Sequence, residues 1–465
     1  MTAPVILWLR RDLRLADQPA LAAAVTNGAP VIPVFILDDE TAKHRKMGGA
    51  SRWWLHHSLD SLDADLRERG SRLILRAGNS SAILCELAQE TGALAVHCIR
   101  HYEPWWRNAE RALREALPEE VDFICHDGNY LLPPNTVKTG GGTPFKIYTP
   151  FMRALSQHMP PPKPLPAPKK IAEPDSWPES DTLADWKLLP TKPDWATEMA
   201  KHWTPGEAGA ANRLDRFVDH AKKYNETRNL PSTDGTSSLS PHLHFGEISP
   251  AIAWHATMQA GGSVDVFLKE LVWRDYAQNI ILQYPEYGQK NARDAFDKLP
   301  WRDLNDASVK ADFAAWTKGQ TGYPIVDAGM RQLWAIGWMH NRVRMISASF
   351  LIKHLLIDWR EGEQWFWDTL CCADYGSNSV NWQWTAGSGV DSNMFVRIMA
   401  PLSQSEKFDA AGYIRKWVPE LAELKDNAIH DPDEHGVRPE AYPAKLIGHK
   451  EARERALKAH EQVKA

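Results

Sequence analysis

Five short apolar runs alternate with helical patterns near the amino terminus, and this alternation limits the possible folds more than any other feature of the chain. Between the runs lie stretches with apolar residues at helical spacing, such as 51–69 and 105–117. Strands that alternate with helices predict a parallel, doubly wound α/β sheet, which binds ligands beyond the carboxyl ends of its strands. The apolar runs occupy residues 5–9, 31–37, 72–76, 93–99 and 121–126.

A proline-rich stretch separates this α/β part from a region with a different pattern. Residues 159–204 begin MPPPKPLPAPKK, and prolines at this density favour extended chain over packed helix or strand. From about Leu214 onward the periodicity is helical. We therefore predict an α/β domain at 1–133, an interdomain linker at 134–205 and an all-α domain at 206–465.

Composition excludes several classes of protein. The chain has no run of about 18 apolar residues, so we expect no membrane span, a cytoplasmic location and a monomer. Its five cysteines have spacings that fit neither a disulfide framework nor a zinc site, so we expect free thiols and no metal. A net charge of −5 argues weakly against nucleic acid, although a local basic surface can still bind phosphates.

Many of the tryptophans concentrate in residues 334–384. The first part of this stretch predicts one helix on which Trp338, Asn341 and Met345 share a face, with Arg344 close to it. An indole, an amide and a thioether on one stripe are as compatible with a tryptophan-rich core as with a ligand site. Helical spacing alone identifies no cofactor.

Two long segments nevertheless resemble the photolyase/cryptochrome family of flavoproteins. The first is 321–363, TGYPIVDAGMRQLWAIGWMHNRVRMISASFLIKHLLIDWREGE, and the second is 381–421, which begins NWQWTAGSGVDSNMFVRIMAPLSQSEKF. The resemblance extends back to the amino terminus and covers nearly the whole chain. It implies an all-α domain that binds FAD, a second chromophore in the α/β domain, and UV-damaged DNA as the partner.

The resemblance also implies which residues bind FAD. Taken alone, the hydroxyl-rich stretch at 236–240 predicts a helix start, since Ser and Thr cap helices and can face an anion. In photolyases the similar segment holds the FAD diphosphate, an upstream tyrosine assists it, and an asparagine lies near flavin N5. The residues implied in this way are Tyr224, Thr236, Ser237, Ser238, Leu239, Ser240, Trp338, Arg344, Asp374 and Asn378.

One position departs from the family pattern. Many members carry acidic residues both eight and ten positions before the tryptophan that matches Trp382. In this chain Asp374 fills the first position, but Cys372 stands at the second. The missing carboxylate is the usual partner of Arg344, and an unpaired buried guanidinium would be costly. We therefore expect Arg344 to find a different partner.

Residues 267–280 predict an amphipathic helix that carries Glu270 and Trp273 at i and i+3. Taken alone, this carboxylate could simply pair with Arg274. The resemblance implies instead that Glu270 hydrogen-bonds a flipped-out pyrimidine dimer, that Trp273 stacks on it and that Trp384 forms the opposite wall. The dimer must leave the duplex because chemistry on a base cannot occur inside the base stack.

Two positions bear on which lesion is repaired. Family members that repair (6-4) products carry a histidine pair where this chain has Asn341 and Met345, and these match the enzymes that repair cyclobutane dimers. An amide can bond a base edge and a thioether forms an apolar wall, but neither can supply acid catalysis. Arg228 and Arg342 match residues that grip the DNA backbone.

The implied function is light-driven repair of cyclobutane pyrimidine dimers, a carbon–carbon lyase reaction driven by electron transfer from excited reduced FAD. A cryptochrome-like photoreceptor and a (6-4) photolyase are the alternatives. Trp382, Trp359 and Trp301 match the family's electron-transfer path from flavin to surface. Asn378 is the residue of photolyases at a position where plant and insect cryptochromes carry Asp or Cys.

The opening segment at 8–21, WLRRDLRLADQPAL, resembles the start of the family's antenna-binding domain. His44 and Asn108 lie about where folate-binding members carry such residues, although Ala109 follows where an acidic residue is usual. Taken alone, both are as readily explained as ordinary surface polar residues. We expect 5,10-methenyltetrahydrofolate as the antenna, with 8-hydroxy-deazaflavin as the alternative.

Overall fold

The strands predicted from the five apolar runs are present and form one parallel sheet in the order β3-β2-β1-β4-β5. The computed structural model describes residues 3–26, 28–41, 44–392 and 398–464. The strand order reverses beside β1, which in doubly wound folds marks the ligand crevice. The strands are β1 Val5–Leu9, β2 Val31–Leu37, β3 Ile74–Ala77, β4 Ala95–Ile99 and β5 Asp122–His126.

The described residues also form α-helices, which are numbered here in chain order. The first eleven are α1 Pro19–Val25, α2 Gly49–Arg67, α3 Ser80–Thr91, α4 Pro104–Ala116, α5 Tyr148–Ser156, α6 Thr197–His202, α7 Glu207–His220, α8 Tyr224–Thr227, α9 Ser240–Phe245, α10 Pro250–Ala260 and α11 Asp265–Gln283. The others are α12 Ala307–Lys318, α13 Pro324–Ile336, α14 Asn341–Ser349, α15 Trp359–Thr369, α16 Tyr375–Ala386, α17 Pro401–Lys407, α18 Ala411–Trp417, α19 Asp426–Ile429 and α20 His449–Lys464. No helix among the described residues is long and apolar enough to cross a membrane.

The chain divides into two units by its internal contacts. The first unit comprises Met1–Lys222 and Ser237–Pro285, and the second comprises Lys223–Thr236 and Glu286–Ala465. All five strands lie in the first unit, and the described part of the second unit is helical. The predicted combination of a parallel α/β sheet with a mostly helical carboxyl-terminal part is therefore confirmed.

The central strands of the sheet in the first unit are covered on both faces. Every residue of β2 is buried, as expected for a parallel strand that helices cover on both sides. Helix α4 follows β4 and turns Trp105 and Trp106 inward, whereas Arg107 and Arg111 on the same helix are exposed. This amphipathic arrangement leaves a basic helix face next to the carboxyl ends of the strands.

The single helix predicted across the tryptophan-rich stretch is wrong in one respect. Helix α13 ends at Ile336 because Gly337 follows in the left-handed region, with φ of 64°. The next helix, α14, begins only at Asn341, and Trp338 lies in the connection between them. Glycine adopts positive φ without steric cost, so it ends the helix and breaks the predicted stripe.

Tryptophans build the core of the second unit. Trp316, Trp359 and Trp382 are all buried. Gly362 makes this packing possible, because a Cβ built at that position would lie 2.2 Å from the Trp382 ring. The helix can therefore approach the indole only where a side chain is missing.

Candidate active site

The exposed start of α14 carries the two residues predicted to select the lesion. Asn341 and Met345 lie one turn apart on this helix, so they share a face as the spacing predicted. Asn341 is exposed and Met345 is half-buried. His340 caps the helix by accepting a hydrogen bond from the Arg342 N–H at 3.2 Å. The amide and the thioether are thus presented on a fixed helix end.

Arg344 has the different partner that the sequence led us to expect. Its Nη2 lies 3.2 Å from the Cys372 sulfur, and its Nε donates to the Met339 carbonyl at 2.7 Å. Among the described residues it forms no ion pair, because the neutral thiol takes the place of the carboxylate. The Asp374 carboxylate caps α16 by accepting from the Ser377 N–H at 2.6 Å. In the part of the chain that the structure describes, a cationic group therefore stands beside α16 without an anionic partner.

The side chain of Asn378 has a defined orientation. Its Nδ2 donates both to the backbone oxygen of Glu363, at 3.1 Å, and to Glu363 Oε1, at 2.9 Å. Both partners are acceptors, so the amide nitrogen must face them and Oδ1 must face away. Glu363 is fully buried, and sequence reasoning missed it. Its only signal is an acidic residue among the apolar positions of α15.

The tryptophans predicted to carry electrons differ in their exposure. Trp382 packs edge-on against Phe366, with ring centroids 4.9 Å apart, and against Trp316 at 6.5 Å. Trp359 is fully buried and donates from Nε1 to Asn291 Oδ1 at 2.9 Å. Trp301 is half-buried. Of the three, Trp301 at the predicted surface end is the most exposed, while the electron path itself stays a prediction.

Three arginines form a local basic cluster in the second unit. Burial, together with the charges of Arg344, Arg342 and Arg228, lowers the pKa of His340 to about 4. Arg342 donates to Asn229 Oδ1 at 2.8 Å, and Arg228 lies over the Tyr224 ring at 5.4 Å. This cluster is the kind of local basic surface that a net charge of −5 does not exclude.

The hydroxyl-rich segment precedes a helix, as predicted. Helix α9 starts at Ser240, and Leu239 just before it is buried. Ser238 adopts a positive φ of 50°, which is uncommon for a residue other than glycine. Ser237 Oγ accepts from the Leu239 N–H at 3.4 Å. Thr236 and Tyr224 lie in the second unit, whereas Ser237 to Ser240 lie in the first.

Glu270 and Trp273 lie on α11 in the first unit, and Asn341, Met345 and Trp384 belong to the second. Trp273 is exposed, and one face of its indole stacks on Tyr148, with centroids 3.4 Å apart and planes 3° from parallel.

Sequence reasoning missed Tyr148, because only the fold brings it to α11. Its hydroxyl donates to the Lys269 carbonyl at 3.1 Å, and its pKa is raised by burial and by the Glu270 charge. Tyr148 on one face and Tyr276, edge-on with its centroid 5.5 Å away, therefore fix the plane of the Trp273 indole.

The residues predicted for the antenna lie in different surroundings. His44 packs between the α4 tryptophans, stacked on Trp105 at 5.8 Å and edge-on to Trp106 at 5.0 Å. Asn108 lies on the exposed face of the same helix. Nearby, a cavity of about 480 Å³ is lined by Arg100, His101, Tyr102, Arg107, Glu110, Arg111, Arg114, Asp127, Pro133, Pro134, Asn135 and Leu282.

The donor set of the second unit fits a flavin. A flavin ring offers carbonyl oxygens that a guanidinium can bond and, when reduced, a ring N–H that needs an acceptor. Arg344, which contacts a carbonyl and a thiol, supplies the cation, and Asn378 supplies the acceptor through Oδ1. The indole of Trp338, half-buried and 6.0 Å from the Arg344 guanidinium, adds aromatic surface.

Two family models match the chain. The model described as DNA photolyase matches residues 5–169, and the one described as the FAD binding domain of DNA photolyase matches residues 267–462. The first match contains the parallel sheet, and the second contains α12 to α19 with most of α11 and α20.

Relatives are similar over the whole chain. A deoxyribodipyrimidine photo-lyase from Agrobacterium fabrum is 49% identical over 480 residues, which cover 100% of this chain and 98% of the relative. Cryptochrome-1 from Arabidopsis thaliana is 35% identical over 98% of this chain and 70% of the relative. A crystal structure of a bacterial class III photolyase from Agrobacterium tumefaciens matches with a TM-score of 0.93 at 48% identity, covering 100% and 98%. The chain therefore belongs to the photolyase/cryptochrome family and carries that family's FAD-binding domain.

Proposed function

We propose that the protein uses blue light to split cyclobutane pyrimidine dimers in DNA. The observation that carries this proposal is the exposed start of α14, where the amide of Asn341 and the thioether of Met345 share one face. An amide can pair with the polar edge of a base, and a thioether packs against its apolar part. Neither group supplies the acid that a (6-4) product needs, so this face favours the cyclobutane lesion.

FAD, when bound, supplies the light-excited reduced flavin that passes an electron to the dimer. We propose that Trp338, Arg344, Asp374 and Asn378 hold its ring system. Tyr224 and the hydroxyl-rich segment 236–240 are proposed to hold its diphosphate. The positive φ of Ser238 supports this role, since strained backbone often accompanies a ligand-binding loop.

Asn378 has a defined task in this proposal. Because Glu363 accepts from its Nδ2, the amide presents Oδ1 as an acceptor for a ring N–H that only reduced flavin carries. The amide therefore stabilises the reduced form relative to the oxidised form. Arg344 adds to this preference, because its positive charge stabilises an electron-rich ring.

The aromatic pair in the first unit is proposed to receive the extruded bases. Tyr148 covers one face of Trp273, so a base can stack only on the other. Base stacking on an aromatic side chain contributes about 1–3 kcal/mol per base and tolerates any base. Glu270, close enough to Tyr148 to raise its pKa, is proposed to accept a hydrogen bond from the stacked base.

Arg228 and Arg342 are proposed to bind DNA phosphates beside the lesion. Arg342 is half-buried and is oriented by Asn229 and by the Phe408 ring, 4.6 Å away. A guanidinium held in place loses less side-chain entropy on binding a phosphate than a mobile one. Phosphate contacts position the protein without reading sequence, which suits a lesion that occurs in many contexts.

The remaining proposals concern how light energy and electrons reach the flavin. Trp382, Trp359 and Trp301 are proposed to reduce it from the surface inward. His44 and Asn108 are proposed to contact a folate antenna, with a deazaflavin as the alternative. The cavity beside α4 supports an anionic chromophore, because Arg107, Arg111 and Arg114 line it and guanidiniums bind carboxylates.

A repair assay tests the proposal. Purified protein with FAD reduced by dithionite is mixed with an oligonucleotide that contains one thymine cyclobutane dimer, and the dimer is counted by chromatography after blue light or darkness. Light-dependent loss of the dimer is expected. A second arm uses a (6-4) product, which should persist.

Retention of both lesions would overturn the repair function and favour a photoreceptor. Trp382→Phe separates the electron path from repair: it should block photoreduction of oxidised FAD but leave repair by chemically reduced protein unchanged.

A further inference from the structure

Two cysteines of the first unit form a pair that light-driven repair does not use. We propose that Cys98 and Cys125 are a redox-active dithiol, which a hydroperoxide converts into a disulfide. Cys98 on β4 pairs directly with Cys125 on β5, and their sulfur atoms lie 3.6 Å apart. The other cysteine of this unit, Cys85, lies on α3.

The strand pairing already brings the two backbones to a separation that a disulfide accepts. Neighbouring strands lie about 4.8 Å apart, and the Cα atoms of a disulfide usually lie about 4.4–6.8 Å apart. The sulfurs must approach from 3.6 Å to the bond length of about 2.05 Å, which side-chain rotation largely provides. The bond can therefore form while β4 and β5 remain paired.

The surroundings favour one attacking sulfur and one resolving sulfur. The hydrogen bond from the Cys98 thiol, with the charges of Arg10 and Arg100, lowers the pKa of Cys125 to about 7. Burial raises the pKa of Cys98 instead. Thiolate is the nucleophile in reactions with peroxides, so Cys125 attacks first.

The solvent exposure of the two cysteines also favours Cys125 as the attacking residue. Cys98 is fully buried, whereas Cys125 is partly exposed. Arg100, which lies within hydrogen-bonding reach of the Cys125 sulfur, also lines the cavity beside α4. A small oxidant can therefore reach Cys125, and Cys98 is reached only from Cys125.

The reaction balances with one peroxide. The Cys125 thiolate attacks a peroxide oxygen, the O–O bond breaks, and sulfenic acid and hydroxide form. The Cys98 sulfur then attacks the sulfenic sulfur, the S–O bond breaks, and the Cys98 proton leaves with the oxygen as water. Two thiols lose one electron each, and hydrogen peroxide is reduced to two molecules of water.

A bound metal ion is the competing explanation for this cluster. Ligand atoms of Cys98, Cys125 and Glu110 lie within 4.8 Å of one another. However, Arg10 Nη1 holds Glu110 Oε1 at 2.8 Å. The guanidiniums of Arg10 and Arg100 thus lie close to the sulfurs, where they repel a metal cation and favour a thiolate.

The test is oxidation of the intact FAD-loaded protein with hydrogen peroxide, followed by alkylation and peptide mass spectrometry. We expect a linked Cys98–Cys125 peptide that dithiothreitol reverses, formed roughly tenfold faster than oxidation of Cys85, whose pKa is raised by burial. In Cys98→Ser, Cys125 should stop at a sulfenic acid that dimedone traps. In Cys125→Ser, Cys98 should remain reduced.

Two results would overturn the proposal. One is oxidation of Cys85 without any linked Cys98–Cys125 peptide in the wild-type protein, a result that does not depend on how the variants fold. The other is stoichiometric binding of added zinc that protects both thiols and is lost in Cys98→Ser.

Discussion

Arg10 in the first unit and Arg344 in the second occupy opposite surroundings. Arg10 is fully buried, pairs with Glu110 at 2.8 Å and lies over the Trp8 ring at 4.1 Å. Arg344 is half-buried and contacts a carbonyl and the neutral thiol of Cys372. The charge of Arg10 is compensated within the protein, whereas that of Arg344 remains available to a ligand. The difference separates a guanidinium that stabilises the fold from one that we propose binds the flavin.

The largest expected effect comes from breaking the compensated pair. Glu110→Ala leaves the Arg10 charge buried without its carboxylate, which should lower the free energy of unfolding by about 3–5 kcal/mol. Urea unfolding followed by circular dichroism measures this change. Glu115→Ala on the exposed face of α4 is the matched control and should change stability by less than about 0.5 kcal/mol. Equal losses of stability in Glu110→Ala and Glu115→Ala would contradict the structural role given to Arg10.

The dependence of stability on pH tests the two units through His44 in the first and His340 in the second. Burial lowers the pKa of both His44 and His340 from 6.5 to about 4. Between pH 4 and 6.5 the unfolded chain binds more protons, so stability should fall as the pH drops through this window, by about 3 kcal/mol for each histidine. The free energy of unfolding measured at several pH values gives the slope of stability against pH, and NMR titration of the two histidines assigns the slope to each of them.

DNA should distinguish the two histidines. The charges that act on His340 are those of three arginines, whereas His44 has Asp38 and Asp39 as well as Arg11 and Arg52 around it. Bound phosphates should therefore raise the pKa of His340 by neutralising its neighbours and leave that of His44 unchanged. An unchanged His340 would argue against phosphate binding at Arg228 and Arg342.

A smaller effect is expected at Asn378. Glu363→Gln leaves the backbone oxygen of residue 363 as the one obligate acceptor for the Asn378 amide, so the amide is held less firmly in its orientation. Repair should slow about tenfold, which corresponds to roughly 1.4 kcal/mol, and the reduction potential of bound FAD should fall. Glu361→Gln in the same helix is the control. If repair slows while the reduction potential stays normal, the effect of Glu363→Gln does not arise from the orientation of the Asn378 amide.

The smallest effect is expected from giving Arg344 a carboxylate. Cys372→Asp makes the surroundings of Arg344 resemble those of Arg10, but the guanidinium is half-buried, so stability should rise by no more than about 1 kcal/mol. The neutralised charge should make bound FAD harder to reduce, which spectroelectrochemistry measures. Cys372→Ser, which keeps a neutral partner, should leave the potential near that of the wild type.

The sequence by itself determined the features that rest on local pattern. Alternating apolar runs specified five parallel strands, and the runs are clearest for the central strands, which are buried on both faces and need apolar residues throughout. Helical spacing placed Asn341 and Met345 on one face. The motifs identified the family, because long ordered runs of residues do not recur by chance. The stripe that included Trp338 failed because Gly337 ends α13.

Only the tertiary structure decided which side chains meet across the chain. Arg344 contacts Cys372, 28 positions away, and Asn378 is oriented by Glu363, 15 positions away. Tyr148 stacks on Trp273, and Cys98 meets Cys125 across paired strands. Local periodicity specifies which face of a helix or strand a residue occupies. Partner identity depends on how elements pack, and packing is a property of the whole fold.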